Sequence, residues 1–279
     1  MANLIDLIGE SAPYVNAYDL NVVDGVLHGR FKPEQQRYSE TTLLNCSEAL
    51  RFSALHAVLT CAAANPVQAK RYYLAAKADL QVFPVKATRT KSFRCEGRVT
   101  SIEEKQQLPY FKATATCFTE EGERYAVMHG ECITLTEEKF VAIKGADEAP
   151  AKAWTPGQPN PHQNPVRPMK LDWVKPGEVL KAQLDGLTRE DFAGHFDVRA
   201  ICPLTILVGN AVSLVSHFPG FDVYRINRCM SSCKDVPFPG ESVRLTCAAE
   251  AAGQFKITVE NAQGKFLAAI QVDATPDSR

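Results

Sequence analysis

Two segments of this 279-residue chain carry residues that could do acid–base chemistry. The first is Gly194-His195-Phe196, which is followed eight residues after the histidine by Pro203 and an apolar run from Leu204 to Val215. A histidine presented by a loop just ahead of a buried helix is a candidate general base, because its ordinary pKa lies near neutral pH. Its acid partner is missing from that run. The position fourteen residues after His195, where we would look for it, is Gly209.

The second segment lies in the first half of the chain. Ser47-Glu48-Ala49-Leu50 opens another apolar helical run, with Ser47 as a candidate N-cap and Glu48 in the first turn. Fourteen residues before Glu48 stands Glu34 instead of a histidine. One half therefore has the base and the other has the acid, which predicts a composite site of His195 and Glu48. The alternative for Glu48 is structural, since first-turn glutamates commonly satisfy free helix N–H groups.

The composition is typical of a globular protein, with 45% hydrophobic and 23% charged residues. A formal net charge of −1 without a basic block gives no electrostatic reason to expect nucleic-acid binding. No apolar run approaches the length that spans a bilayer, and the acidic start of the chain does not resemble a secretory signal. The nine cysteines are an odd number, mostly single within apolar runs, which indicates reduced, buried thiols. We expect a cytoplasmic protein without a metal or other cofactor.

A proline-rich segment divides the chain. Residues 145–168 are crowded with proline, polar and small residues, which is typical of a linker. The segment separates residues 1–144 from residues 169–279, and each part has the size of a small domain.

The two parts repeat one order of elements: a strand, a long apolar helix and an antiparallel meander. In the first part these are a strand Gly25–Phe31, a helix Ser47–Ala64 and strands Tyr72–Val82, Lys91–Ile102, Tyr110–Thr119 and Tyr125–Leu135. In the second they are a strand Glu178–Leu187, the helix after Pro203 and strands Asp222–Met230, Glu241–Ala249, Phe255–Val259 and Lys265–Val272. Repetition of a whole unit favours a pseudo-two-fold pair over two unrelated domains.

The histidine segment resembles a known family. Gly194-His195-Phe196 with Pro203 is similar to the Gly-His-Phe…Pro-Gly motif of the β-hydroxyacyl-acyl-carrier-protein dehydratases, and Glu48-Ala49-Leu50 is similar to the Glu-Ala-Leu that carries their acid. The resemblance covers both halves by element order but only a small part of the chain by residue identity. It implies an α+β double hot-dog fold, in which two fused units each wrap a curved antiparallel sheet around a long central helix.

The resemblance also implies where the site lies. Dimers of this family take the histidine from one protomer and the acid from the other, so a fused pair would keep one complete site, His195 with Glu48, between its halves. The dehydratase domains of modular polyketide synthases look similar, with the two residues in the reverse order along the chain. Three positions depart from the family pattern: Leu204 replaces a glycine, Gly209 the helix acid, and Phe52 a glutamine.

The implied activity is dehydration of a 3-hydroxyacyl thioester, carried by acyl carrier protein or coenzyme A, in a fatty-acid-like or polyketide-like biosynthesis. His195 would remove the α-proton, and Glu48, kept protonated by desolvation, would assist departure of the hydroxyl. The backbone N–H of Leu204, at the start of the helix, would polarise the thioester carbonyl.

Eight residues are expected to contact the substrate: Gly194, Phe196, Cys202, Pro203, Leu204, Asn210, Arg51 and Phe52. Arg51 could pair with a nearby acid or, if it reaches the surface, bind the pantetheine phosphate. Asn210 could orient a water or the thioester.

Two other functions stay open. A hot-dog thioesterase would use Glu48 to activate water against the thioester carbonyl. A non-catalytic subunit of a synthase would bind acyl chains without consuming them, which the three departures from the family pattern would explain. The chain could also form a homodimer.

Overall fold

The computed structural model describes residues 3–87, 89–105, 107–147, 154–155 and 157–277. Over these ranges twelve strands form one sheet around two buried helices. The α-helices are α1 Cys46–Ala64, α2 Glu137–Lys144 and α3 Leu204–Ser213, and the two buried ones are α1 and α3. The strands of the first half are β1 Ala17–Val23, β2 Val26–Phe31, β3 Tyr72–Val82, β4 Phe93–Lys105, β5 Leu108–Phe118 and β6 Arg124–Leu135. Those of the second half are β7 Lys170–Lys175, β8 Val179–Leu184, β9 Tyr224–Cys233, β10 Val243–Ala251, β11 Gln254–Asn261 and β12 Phe266–Pro276.

The order of the strands repeats about the middle of the sheet. It runs β1-β2-β4-β5-β6-β3-β9-β12-β11-β10-β8-β7, and every neighbouring pair is antiparallel. Read outward from the β3–β9 pair, the two halves present equivalent strands in the same sequence, with α1 and α3 in equivalent places. The repeat expected from the sequence is therefore present in the backbone.

The two long helices lie inside the sheet because they are apolar on nearly all sides. α1 is buried along most of its length, and α3 is buried from Thr205 to Val212. α1 packs against strands of its own half and against α3. The main hydrophobic core, which includes Leu59, Leu207 and Ile270, runs through both halves, and a smaller cluster forms around Phe140. Burial of this kind is the main favourable contribution to folding.

α1 begins differently from expectation. The N-cap residue is Asn45, and Ser47 already lies inside the helix, where its Oγ donates to Oε1 of Gln35 at 2.8 Å. The first helical N–H, that of Cys46, donates to the Glu40 carboxylate at 2.7 Å. The expected Ser47 cap is therefore wrong, because a carboxylate from the preceding loop takes the capping role.

Most predicted elements are confirmed within a few residues, and β3 has the predicted bounds. Three elements were not predicted. β1 and β7 are the outermost strands of the sheet, and β7 is exposed along its whole length, so neither shows strong apolar alternation. α2 did carry a signal, since Thr136 caps it by accepting from the N–H of Lys139 at 3.2 Å.

The described part of segment 145–168 contacts both halves of the chain. Residues 148–153 and 156 of the expected linker lie outside the described residues. Further along, His162 is buried, with its Nε2 2.9 Å from the Ala193 carbonyl oxygen. The N–H of Arg167 donates to Asn210 on α3 at 2.8 Å. None of the helices in the described residues is long and apolar enough to cross a membrane.

Candidate active site

A cavity of about 170 Å³, partly open to solvent, lies between α1, the start of β3, the loop before α3 and the segment after β9. Its walls are mostly apolar. α1 contributes Leu50, Ala54, Leu55 and Val58, and β3 contributes residues 73–76 and Ala78. Polar groups line it at two places: His195, Glu10 and Tyr14 meet on one side, and residues 144, 234 and 235 lie on another. An apolar cavity with a few convergent polar groups is the usual form of a small-molecule site.

His195 points its free ring nitrogen toward a carboxyl group. Its Nδ1 lies 3.1 Å from the Ile201 carbonyl oxygen. Because a carbonyl can only accept, Nδ1 carries the hydrogen and donates it, so Nε2 keeps a lone pair. Nε2 lies 3.7 Å from Oε1 of Glu10. Burial lowers the pKa of His195 to about 4, so the imidazole is neutral at pH 7.

Glu10 is the carboxyl that meets this imidazole. It is buried, and its Oε2 has no hydrogen-bond partner among the described residues. Burial raises the pKa of Glu10 to about 8, which keeps it mostly protonated at neutral pH. The structure thus places a neutral base and a neutral acid side by side. Titratable groups whose pKa values are pushed apart in this way are candidates for paired acid and base roles.

The N-terminal segment carries Glu10 to the histidine loop. The N–H of Ser11 donates to the Gly194 carbonyl at 2.9 Å, and the N–H of Asp197 donates to the Gly9 carbonyl at 3.0 Å. Gly194 has φ +84°, and a Cβ there would lie 2.3 Å from the Ser11 carbonyl oxygen. Only glycine permits both this conformation and this approach. The glycine of the Gly-His-Phe segment therefore serves to seat the N-terminal segment.

Tyr14 holds the other side of the imidazole. Its ring centroid lies 4.8 Å from that of His195 and 5.2 Å from that of His162. Its hydroxyl hydrogen-bonds with the side chain of Thr205 at the start of α3, and burial raises its pKa, so the phenol stays protonated. Tyr14 thereby ties the N-terminal segment to the helix and limits rotation of the His195 ring.

The start of α3 offers hydrogen-bond donors beside the pair. Pro203 is the N-cap residue, and the N–H of Ile206 bonds to its carbonyl at 3.0 Å. The N–H groups of Leu204 and Thr205 have no acceptor within the described ranges, and both residues line the cavity. Free N–H groups at a helix start can stabilise a developing oxyanion.

Glu48 does not meet His195 in this structure. Its Oε1 accepts from the N–H of Glu34 at 2.5 Å and of Gln35 at 2.9 Å, and Glu48 lines a different cleft, beside Asn45. Across the described residues no hydrogen bond or ion pair joins it to His195. The expected His195–Glu48 pair is thus corrected to His195–Glu10, because the loop ahead of α1 holds the Glu48 carboxylate.

Gly209 is required where the two buried helices meet. A Cβ at Gly209 would lie 3.1 Å from Cβ and 3.3 Å from Oγ of Ser47 on α1. Any side chain at this position, including the acid of the family pattern, would press on Ser47 and require it to shift. The departure at this position follows from the close approach of α1 to α3.

The other expected contact residues divide into two groups. Phe196, Cys202 and Leu204 line the cavity, whereas Gly194 and Pro203 shape the loop and the helix start around it.

Arg51, Phe52 and Asn210 were expected to contact the substrate, but none of them is among the described residues that line this cavity. Arg51 pairs with Glu34, as one alternative expected, but it is 1% exposed and does not reach the surface to bind a phosphate. Phe52 stacks on Phe31 in the core, with ring centroids 3.8 Å apart. Asn210 was expected to orient a water or the thioester, but it lies away from this cavity. Its amide bonds to the backbone of residues 165, 167 and 206 and fastens the linker segment to α3.

The sequence reasoning missed Glu10, Tyr14 and Thr205. The only signal for Glu10 was a carboxylate directly after the apolar run Leu4–Gly9. Its distance of 185 residues from His195 along the chain gave no reason to pair the two.

Comparison with known proteins bears on the fold. No family model matches the sequence, and no curated protein matches it. Solved structures do match in shape. An acyl-ACP thioesterase from Bacteroides thetaiotaomicron superposes with a TM-score of 0.55 at 10% identity, over 90% of this chain and 98% of its own. A 12:0-ACP thioesterase from Umbellularia californica has a TM-score of 0.51 at 11% identity, over 92% and 100%.

A MaoC-like dehydratase from Phytophthora capsici overlaps less, with a TM-score of 0.47 at 14% identity over 74% of this chain and 72% of its own. At these identities the likeness of the thioesterases establishes the fold alone. The chain has an α+β, hot-dog-like fold, with a large antiparallel sheet around buried helices.

Proposed function

We propose that this chain is a hydro-lyase that removes water from a 3-hydroxyacyl thioester, with His195 as base and Glu10 as acid. The observation that carries the proposal is the pair itself, a neutral imidazole and a protonated carboxyl 3.7 Å apart in the wall of an apolar cavity. Dehydration needs a proton acceptor and a proton donor in these states at the same pH. The thioester would come from acyl carrier protein or coenzyme A, in a fatty-acid-like or polyketide-like biosynthesis.

The reaction follows from the positions of these groups. Nε2 of His195 takes the proton from C2, and the N–H groups of Leu204 and Thr205 stabilise the enolate oxygen. Glu10 gives its proton to the 3-hydroxyl, the C3–O bond breaks, and the C2–C3 double bond forms as water leaves. The proton on His195 then returns to the Glu10 carboxylate, and both groups regain their starting states.

The architecture proposed with this function is a double hot-dog. Residues 1–144 and 169–279 would be the two units, joined by segment 145–168. The repeated strand order about β3–β9 and the equivalent places of α1 and α3 support this division. One complete site would then remain, and the helix crossing at Gly209 accounts for the missing acid of the second half.

Thioester hydrolysis is the second candidate. A neutral His195 could activate water against the thioester carbonyl, and the solved structures that overlap nearly the whole chain are called thioesterases. A thiolate leaves readily without an acid whereas a hydroxyl group does not, so a protonated Glu10 beside His195 favours dehydration.

Mass spectrometry of the products separates the candidates. The purified chain is incubated with a 3-hydroxyacyl pantetheine thioester, and the thioester is followed over time. We expect a product lighter by one water that still carries the thioester. Release of the free hydroxy acid would contradict the proposal in favour of a thioesterase, and binding without turnover would contradict it in favour of an acyl-binding subunit.

A further inference from the structure

One carboxylate holds both ends of the loop that carries His195. The loop begins with the short 3₁₀ helix Glu190–Phe192 and ends at α3. Before the histidine, the guanidinium of Arg189 lies 2.9 Å from Oδ2 of Asp147. After it, the N–H of Ala200 donates to the same oxygen at 3.0 Å. Asp147, which lies shortly after the end of α2, therefore draws together the chain before and after His195.

Asp147 makes two further contacts with the turn that follows the histidine. Its backbone N–H donates to the Val198 carbonyl at 3.0 Å, and its Oδ1 lies 3.3 Å from Nη1 of Arg199. The same Nη1 donates to the Ala146 carbonyl at 3.2 Å. Hydrogen bonds between charged groups are stronger than those between neutral groups, so these contacts fix the position of residues 198–200.

The turn leads directly to the group that orients the imidazole. Ile201 follows Ala200, and its carbonyl accepts from Nδ1 of His195 at 3.1 Å. The N–H of Ile201 donates in return to the His195 carbonyl, also at 3.1 Å. The bond to Nδ1 decides which ring nitrogen carries the hydrogen, and it leaves the lone pair on Nε2. A displacement of residues 198–200 would move this carbonyl away from the ring.

The Ile201 carbonyl has a second support. It shares a peptide group with the N–H of Cys202, which donates to the Pro237 carbonyl at 3.1 Å. Loss of the Asp147 contacts should therefore loosen the carbonyl without removing it from the site. The expected effect on the reaction is correspondingly partial.

We propose that Asp147 is a positioning residue, which holds the Ile201 carbonyl against Nδ1 of His195 and so keeps the Nε2 lone pair toward Glu10. The inference rests on the proposed function only in naming His195 as the base. Asp147 acts from outside the site, since it is not among the described residues that line the cavity.

The tautomer of His195 is the most direct readout, because a residue that only stabilised the fold would not change it. The full chain is labelled with ¹⁵N-histidine, the ring nitrogens are observed by NMR at pH 7, and the His195→Gln spectrum assigns the signals. In the unchanged chain we expect the Nδ1–H tautomer alone. Asp147→Ala should give a mixture in which the Nε2–H tautomer is detected.

Kinetics give the second readout. For a 3-hydroxyacyl pantetheine thioester, Asp147→Ala should lower kcat by about tenfold and leave KM within about twofold, since the base is misdirected while the cavity wall is unchanged. Asp147→Asn keeps an oxygen for the N–H of Ala200 without the charge, and it should recover part of kcat and of the Nδ1–H tautomer.

Asp79→Ala is the matched control. Asp79 also pairs with an arginine, Arg228, across the two halves, but it is not among the described residues that line the cavity. This variant should change neither the tautomer nor kcat.

An Asp147→Ala variant in which His195 keeps the Nδ1–H tautomer alone would overturn the inference. The same change of tautomer in Asp79→Ala would also overturn it, because the effect would then be a general loosening of the fold. If the unchanged chain does not turn over the thioester, the proposed function fails, and the tautomer populations still decide the inference. If Asp147→Ala does not fold, the tautomers of Asp147→Asn and Asp79→Asn are compared in the same way.

Discussion

Burial shifts the pKa values of two groups at the candidate site in opposite directions. Burial lowers the pKa of His195 to about 4 and raises that of Glu10 to about 8, so between those values the base is unprotonated and the acid is protonated. In water the two groups would be in the opposite relation, with a carboxylate below the imidazole in pKa. The N-terminal segment and Tyr14, which enclose the two groups, therefore belong to the proposed site as much as His195 and Glu10 do.

This assignment fixes the pH dependence. We expect kcat/KM for water loss to fall below about pH 4, where His195 becomes protonated, and to fall again above about pH 8, where Glu10 ionises. A rate profile from pH 3.5 to 10 measures both limbs. Glu10→Gln should remove the alkaline limb, and a rate that keeps rising through pH 9 in the unchanged chain would contradict the assignment.

The glycine ahead of the histidine gives a second prediction at this scale. Gly194→Ala should destabilise the fold by about 1–3 kcal/mol more than Gly186→Ala, since both glycines have φ between 70° and 90° but only Gly194 has backbone within 4 Å of the added Cβ. Urea unfolding gives the two values. Equal free energies of unfolding for the two variants would show that the N-terminal segment is not held as described.

At the scale of the elements, the approach of α1 to α3 decides which half can keep an acid. Gly209 lies against Ser47, so a side chain at that position of α3 would press on α1. Glu48 lies at the start of α1, where the N–H groups of Glu34 and Gln35 hold its carboxylate. The site is completed instead by an irregular segment, which brings Glu10 beside the histidine loop.

A glutamate placed at position 209 of α3 should therefore destabilise the fold. Gly209→Glu is expected to destabilise the chain by about 3 kcal/mol or more, because the side chain would press on Ser47 and its carboxyl would be buried without a partner. Ser213→Glu places the same residue on the half-buried end of α3 and should cost far less. Thermal unfolding of the two variants makes the comparison, and a stable Gly209→Glu variant would mean that the helices are not in close contact there.

Most of the helices and strands were predictable from the sequence. Apolar periodicity located both buried helices and most strands, and the spacing of Pro203 after His195 located the reactive loop. The edge strands β1 and β7 were not predictable, because solvent on their outer side removes the apolar alternation. Glu10 and the true contacts of Glu48 were not predictable either, since both depend on how loops distant in sequence meet after folding.

At the scale of the whole molecule, one sheet and one core join the two halves. β3 of the first half pairs with β9 of the second, and Arg228 on β9 makes two hydrogen bonds, at 2.8 and 2.6 Å, to the Asp79 carboxylate on β3. The hydrophobic core is continuous between the halves, and the cavity takes its walls from both. The function proposed here therefore belongs to the pair of halves together.

A continuous core predicts cooperative unfolding. We expect far-ultraviolet circular dichroism, which reports the secondary structure of both halves, to change in one transition, at the same urea concentration as the fluorescence of Trp173 in the second half. The comparison is made with Trp154→Phe, so that Trp173 is the remaining tryptophan. Two separated transitions would contradict the continuous core and show that the halves are stable independently.

The central claim is that Glu10, and not Glu48, is the acid partner of His195, and paired substitutions test it most directly. The rate of water loss from a 3-hydroxyacyl pantetheine thioester is measured for Glu10→Gln, Glu48→Gln and His195→Ala. The account predicts that Glu10→Gln and His195→Ala each lower kcat by about 100-fold or more, whereas Glu48→Gln leaves it close to that of the unchanged chain. A Glu48→Gln variant that loses activity while Glu10→Gln keeps it would contradict the account.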